Sequence, residues 1–324
     1  MSLTYEKQLL YKIDKVKNIF QKYTNIDINP SIIKTTQYKY RNKITLQVKD
    51  GILGLYKENT HDIIPITKCL LVPDKLNSLI NNLKEINLSK VKQIVLKNIR
   101  ENIMIQFIGT PNKDEIIKKI SNKVASIYIN DTLIKGLPFL TEELSQYKYN
   151  ISPNSFFQIN KEGTLAIYNT IKEYLEKDNN HVLDLYCGTG SIGIYISNNC
   201  KKITGIEINK SATKDANKNI KLNNINNIKV INGDVGTLLK DNQKYDAIIV
   251  DPPRSGLDKK TKETLLKIKS KKIIYVSCNP ITLARDINIL NKEYQLQKIT
   301  LIDMFPNTYH VETVSVLWHK TIEK

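Results

Sequence analysis

The chain has 324 residues, enough for two domains, and 41% of them are hydrophobic, which excludes a disordered or fibrous protein. Its formal net charge is +17, carried as 24 basic against 14 acidic residues up to position 150 and 25 against 18 beyond it. An excess shared by both halves points to a surface that faces a polyanion, nucleic acid foremost, although a Lys-, Asn- and Ile-rich compositional habit would give the same charge.

The four cysteines, Cys69, Cys187, Cys200 and Cys278, form no CxxC pair and no cluster with histidine, so neither a zinc site nor a disulfide framework is expected, and a reducing cytoplasm fits. The first residues lack a signal peptide's basic and apolar regions, and no apolar run nears the roughly 18 to 20 residues of a membrane span. A soluble, cytoplasmic protein, without membrane partner and monomeric, is the expectation.

In chain order, apolar residues at Leu9, Leu10, Ile13, Val16, Ile19 and Phe20 recur at helical spacing among Lys-rich polar positions and predict an amphipathic helix over Tyr5–Tyr23. Strand-like runs at Tyr38–Val48 and Ile52–Tyr56 flank Asp50-Gly51, a hairpin signal. Further strands are predicted at Val91–Leu96, Ile103–Ile108 and Ala125–Ile129, with helices near Asp74–Lys84 and Lys113–Lys123. Residues 1–150 therefore read as an α+β domain.

After about Tyr149 strands alternate with helices, the pattern of a parallel sheet with crossover helices. Five strands, at His181–Tyr186, Lys202–Ile206, Ile228–Ile231, Ala247–Val250 and Ile273–Val276, and a final pair near Tyr294–Ile302 and Thr313–Trp318, predict a doubly wound, seven-stranded α/β sheet over residues 151–324. The boundary is expected around 145–155.

Val182-Leu183-Asp184-Leu185-Tyr186-Cys187-Gly188-Thr189-Gly190-Ser191 reads as a buried strand, a glycine turn and a helix start, an arrangement similar to dinucleotide sites and to the methyl-donor site of class I methyltransferases. Glu207 ends the second strand, where a carboxylate can bind both ribose hydroxyls, and Asp234 follows the third, placed for an adenine amino group. Three strand ends in order point to an adenosyl ligand; helix caps or solvated carboxylates are the plainer reading. Nothing there calls for a metal.

Strand four ends in Asp251-Pro252-Pro253-Arg254, where two prolines stiffen the exit, Asp251 faces the crevice and Arg254 could clamp a phosphate. Strand five ends in Ser277-Cys278-Asn279-Pro280; Asn279 reads as an N-cap and Pro280 as the first helical residue. Cys278 would then lie at the positive end of a helix, which predicts a lowered thiol pKa and a nucleophile. Carbon 5 of uracil is too weak a nucleophile unaided; addition of a thiolate at C6 activates it, and a base must later remove the C5 proton. Glu312 is the candidate base and His310 its rival.

Asp251-Pro252-Pro253-Arg254-Ser255-Gly256, Ser277-Cys278-Asn279-Pro280 and Phe305-Pro306 with His310-Val311-Glu312 resemble the RNA 5-methyluridine methyltransferase family, as do Tyr40-Arg41-Asn42-Lys43 and Asn154-Ser155-Phe156-Phe157-Gln158-Ile159-Asn160. The resemblance implies a class I fold using S-adenosylmethionine, with Gln158, Tyr186, Ser191, Glu207, Asp234 and Asp251 at the donor, Cys278 as nucleophile and Glu312 as proton acceptor. Asn also occurs at the position of Ser191 in relatives. Arg41 and Arg254 are candidates for substrate contact, and residues 1–150 for RNA contact.

The sequence departs from many relatives at its beginning, where they carry a small β-barrel RNA-binding domain and three cysteines of an iron–sulfur cluster; either this lineage has lost those parts or the chain is an N-terminally shortened form of a longer protein. Cys69 falls where the fourth ligand would be, but one cysteine cannot hold a cluster. Cys69 and the run Ser152-Pro153-Asn154-Ser155-Phe156-Phe157-Gln158 are more similar to the ribosomal branch, which favours 23S ribosomal RNA over the T-loop uridine of transfer RNA. Methylation of a nitrogen, which would leave Cys278 dispensable, and a non-catalytic RNA-binding protein on the same fold are the competing readings.

Overall fold

The computed structural model describes residues 3–177, 179–240 and 244–321. Two compact units divide the chain: a larger one built from the residues up to Thr35, Ser145–Tyr147 and the stretch from Glu162 onward, and a smaller one of Thr36–Leu144 and Lys148–Lys161. The larger unit opens with α1 (Tyr5–Thr24) and β1 (Ser31–Ile33).

The smaller unit contains β2 (Lys43–Lys49), β3 (Ile52–Tyr56), β4 (Ile63–Pro65), α2 (Asp74–Leu83), β5 (Val91–Ile99), β6 (Asn102–Gly109), α3 (Lys113–Ile120), β7 (Ser126–Ile129) and β8 (Thr132–Gly136). Its strands form one sheet in the order β4-β3-β2-β5-β6-β7-β8. Asp50 and Gly51, at φ 52° and 76°, make the two-residue turn that pairs Lys49 with Ile52, as the hairpin signal required. Leu76, Leu79, Ile80 and Leu83 of α2 and Ile116 and Ile120 of α3 share a core with Leu46, Ile94, Leu96, Ile105 and Phe107 of the sheet. Next, β9 (Leu140–Leu144) and β10 (Tyr147–Ile151) form a two-stranded ribbon.

The remainder comprises α4 (Lys161–Leu175), β11 (Asn179–Leu185), α5 (Ser191–Tyr195), β12 (Cys200–Glu207), α6 (Lys210–Leu222), β13 (Ile228–Asn232), α7 (Val235–Leu238), β14 (Ala247–Val250), α8 (Lys259–Ile268), β15 (Lys272–Ser277), α9 (Pro280–Leu290), β16 (Tyr294–Ile302) and β17 (Glu312–His319). The sheet order β1-β16-β17-β15-β14-β11-β12-β13 is the expected doubly wound arrangement, in which β17 alone runs antiparallel to its neighbours. Buried Ile, Leu and Val of β11, β14 and β15 face the helices, as a parallel sheet covered on both sides demands.

The N-terminal segment differs from the sequence expectation. Residues up to Thr35 belong to the larger unit: Val16 and Phe20 of α1 pack in one core with Leu283, Ile287 and Leu290 of α9, and β1 adds an eighth strand beside β16, pairing Ile33 with Ile302. A boundary drawn at 145–155 misses this because a three-residue strand carries no periodicity.

Candidate active site

Strand register assembles one side of the site. β15 and β17 are antiparallel with Ser277 opposite Thr313, so Cys278, one residue beyond, lies across from Glu312, one residue before. The Thr313 hydroxyl donates to the Ser277 carbonyl at 3.0 Å and locks that end of the ladder. On the other flank, β14 pairs Val250 with Tyr275, and Asp251 begins the segment that leaves the strand. Glu312, Arg254 and Asp251 all act electrostatically on Cys278, and Asp251 and Arg254 act likewise on Glu312.

Asn279 caps α9 as expected, accepting from the Ile281 N–H at 3.1 Å, with Pro280 in the first turn. Its amide also donates to the Arg254 carbonyl at 3.1 Å, and Thr282 donates to the same carbonyl at 3.3 Å, tying the Arg254 loop to the helix start.

The expected lowering of the Cys278 thiol is not what the surroundings impose. Desolvation first, then the Glu312 and Asp251 carboxyls, raise it, and Arg254 only partly offsets them. The helix end is a local feature of the sequence, whereas the two neighbouring acids are brought in from other strands. Glu312, 6% exposed, is itself pushed up to about 8 by burial and by Asp251, against the pull of Arg254. Desolvation holds Asp251 at about 7.

The donor-side candidates sit at the carboxyl ends of β11, β12 and β13. Tyr186 adopts φ 62°, a left-handed conformation uncommon for a bulky side chain, and its hydroxyl donates to Asp258 at 3.3 Å. The Ser191 hydroxyl accepts from Tyr168 at 2.6 Å. Glu207 accepts from the Gly188 N–H at 2.9 Å and the Asn209 N–H at 2.7 Å, which ties its carboxylate to the glycine turn. Asp234 is exposed and accepts from Thr237 at 2.9 Å.

Gln158 and Arg41 lie in the smaller unit, where two stretches far apart in sequence meet. Arg41 forms an isolated bridge with Asn160, the Asn42 N–H donates to the Ile159 carbonyl at 2.8 Å, and the Asn42 amide donates to the Gln158 carbonyl at 3.1 Å. Lys97, 4% exposed, donates to the carbonyls of Ser152 at 2.8 Å and Ser155 at 3.0 Å and shapes the same loop. His310, the rival base, stacks 4.2 Å from the Tyr309 ring.

Two groups escaped the sequence reading. Asp184, 1% exposed, accepts from the Gly193 N–H at 3.2 Å, has a second oxygen buried without a hydrogen-bond partner, and is raised to about 7 by desolvation and by Asp251. It was visible as part of the glycine motif. Asp286, fully buried, accepts from the Leu257 N–H at 2.7 Å, Tyr275 at 2.8 Å, Lys262 at 3.0 Å and Arg285, and so braces the loop after Arg254. No local signal marks it.

A doubly wound sheet with a glycine turn after its first parallel strand and acidic residues at the ends of the first four defines a class I, S-adenosylmethionine-dependent methyltransferase fold. Residues 234–321 match the family described as tRNA (Uracil-5-)-methyltransferase, and residues 161–273 match the methyltransferase small domain. An "uncharacterized RNA methyltransferase" of Staphylococcus aureus is 34% identical, over 97% of this chain and 80% of its own. One of Bacillus cereus is also 34% identical, over 98% of this chain and 80% of its own. Among solved structures, the Pyrococcus abyssi tRNA (uracil-54, C5)-methyltransferase in complex with S-adenosyl-L-homocysteine matches with a TM-score of 0.84 at 27% identity, covering 97% of this chain and 84% of that one. The chain belongs to the RNA 5-methyluridine methyltransferase family.

Among the described residues, no group of three His, Cys, Asp or Glu side chains could hold a metal ion, and no helix is long and apolar enough to cross a membrane.

Proposed function

We propose that this protein transfers a methyl group from S-adenosylmethionine to carbon 5 of a uridine in structured RNA, with 23S ribosomal RNA as the leading substrate, through a transient bond between Cys278 and carbon 6 of the base. The observation that carries the reading is the register that sets Cys278 against Glu312, beside Asp251 and Arg254. The residues at the strand ends suit the donor. Asp184 has an unpaired buried oxygen, and nothing lies within 4 Å of where a side chain on Gly188 would begin, which leaves that turn open to a ligand. Tyr186, Ser191, Glu207, Asp234 and Asp251 would hold it, and the carboxylates suit a cationic sulfonium. When bound, S-adenosylmethionine supplies an electrophilic methyl carbon.

Cys278, partly exposed, loses its proton to solvent, and Arg254 stabilises the thiolate. The sulfur would add to C6, the C5=C6 pair shifting into a C4=C5 bond as the carbonyl pair moves onto O4; C5 of this enolate would then take the methyl carbon as its bond to the donor sulfur breaks and S-adenosylhomocysteine leaves. The Glu312 carboxylate then removes the C5 proton. Those electrons restore the double bond, the S–C6 bond breaks, and the thiolate is regenerated. The smaller unit and Arg41 would contact RNA; a cytoplasmic monomer without a resident metal or cluster completes the proposal. A second reading, the T-loop uridine of transfer RNA, is supported by the match to the Pyrococcus abyssi enzyme.

The test offers radiolabelled donor to unmodified transcripts of 23S ribosomal RNA and transfer RNA and maps the labelled base. Glu312→Gln is expected to accumulate a denaturant-resistant, methylated protein–RNA adduct, and Cys278→Ala to form none. Label on a nitrogen, or normal turnover by Cys278→Ala, refutes the reading.

A further inference from the structure

The polar side chains of α1 that the sequence pattern assigns to solvent are instead engaged. Gln8 and Lys12 are buried, Lys12 completely, and with Lys15 they form a stripe at positions 8, 12 and 15 on one helix face. That stripe meets every second residue of the segment between β16 and β17. Lys12 donates to the Asp303 carboxylate and, at 3.1 Å, to the Phe305 carbonyl. Gln8 and Asn307 bond reciprocally, the Gln8 amide donating to Asn307 Oδ1 at 3.1 Å and the Asn307 N–H donating to Gln8 Oε1 at 2.9 Å. Lys15 donates to the Tyr309 carbonyl at 3.1 Å, with its ammonium 5.0 Å from that ring's centre.

The rest of the N-terminal segment holds the same strand end. The Asp303 N–H donates to the Ile33 carbonyl at 3.0 Å, and the Thr35 hydroxyl donates to the Asp303 carbonyl at 2.6 Å. Asp303 follows Ile302, whose partner across the ladder is Glu312. The clamp therefore grips the connection at its origin and runs along it to within three residues of Glu312. A buried ammonium–carboxylate pair is costly to desolvate and more costly to leave half-paired, so Lys12 and Asp303 act as one unit. Asn307, at φ 65°, keeps its left-handed turn under the reciprocal bonds from Gln8.

We propose that α1 is part of the reaction machinery: its stripe fixes the Asp303–Tyr309 segment, and Lys12, Asp303 and Gln8 are positioning residues for the Glu312 carboxylate. The inference rests on the reading of Glu312 as proton acceptor. It assigns these residues to the last chemical step, adduct release, because carbon–sulfur addition and methyl transfer do not require the base.

The experiment uses the full chain with Lys12→Met and Gln8→Leu, radiolabelled S-adenosylmethionine and unmodified 23S ribosomal RNA and transfer RNA transcripts in single turnover. Expected are donor affinity and methyl transfer within about twofold of the parent, and adduct release slowed by roughly tenfold to a hundredfold, the loss that a misplaced catalytic group produces. The slow release is read as a methylated, denaturant-resistant protein–RNA species. Release at the parental rate in variants that bind donor normally overturns the inference. Should Lys12→Met lose donor binding through misfolding, Gln8→Leu decides, since it leaves the buried pair intact. Failure of Glu312→Gln to trap an adduct would instead remove the reading beneath the proposal.

Discussion

Cys278 and Glu312 share the Arg254 guanidinium as a neighbour, and burial disfavours charge on both of them and on Asp251. Glu312 rises from an ordinary 4.5 to about 8, so between those values the folded protein keeps a proton that the unfolded chain has lost. Its contribution to stability is therefore complete at low pH and disappears as pH rises through about 8. Where the folded state binds the extra proton, unfolding free energy falls by up to about 1.4 kcal/mol per pH unit. Urea denaturation between about pH 5 and 8 should show this decline, and Glu312→Gln should make it shallower, leaving the part contributed by Asp184 and Asp251, both held at about 7. In the proposed mechanism the same shift has an opposite sign, because only the ionised carboxylate can take the C5 proton. Adduct release in the parent should accelerate as pH climbs from about 6 to 8. A pH-independent release rate across that window would remove Glu312 from the step.

At the scale of elements, the loop after β14 owes its path to α9. Gly256 has φ 80°, and a Cβ there would stand 2.5 Å from Asp286 Oδ2 and 2.8 Å from the Arg285 guanidinium. Asp286→Ala leaves Lys262 and Tyr275 facing a void and should cost about 3–5 kcal/mol in denaturant unfolding, as for a buried pair broken on one side. Gly256→Ala should cost about 1–3 kcal/mol through strain. In the double variant the two losses should sum to less than their separate values, because the carboxylate that the new methyl group meets is gone. Strict additivity would show that loop and helix are not coupled in this way. Neither contact can be read from sequence, since Gly256 and Asp286 are far apart in the chain and each fits a bland local pattern. The parallel strands and the Asn279 cap were legible because periodicity and capping are local. β1 and β4 were not, being three residues long, nor was β9, whose Thr141-Glu142-Glu143 centre reads as polar loop. The burial of Lys12 escaped for a similar reason: its partner Asp303 lies 291 positions away.

For the whole molecule, the dominant sequence-level quantity is the net charge of +17, and almost all of its cations are lysines, with arginine only at Arg41, Arg100, Arg254 and Arg285. Lysines that neutralise phosphates release condensed counterions, so binding should fall linearly in log affinity against log salt. A compositional excess spread over solvent-facing surface would produce a shallow slope, because few of its charges would touch the polyanion. These alternatives separate quantitatively. Engagement of several phosphates predicts at least a tenfold loss of RNA affinity between about 50 and 200 mM salt. Donor affinity, which the proposal assigns to local contacts at the strand ends, should change far less. Arg254→Ala then distinguishes a local role from a bulk one: a site-bound guanidinium affects affinity and the Cys278 thiol together while leaving most of the salt slope in place. Fluorescence anisotropy with labelled RNA across a salt series measures both. A slope near zero in the parent would detach the charge from RNA recognition and leave it as a habit of composition.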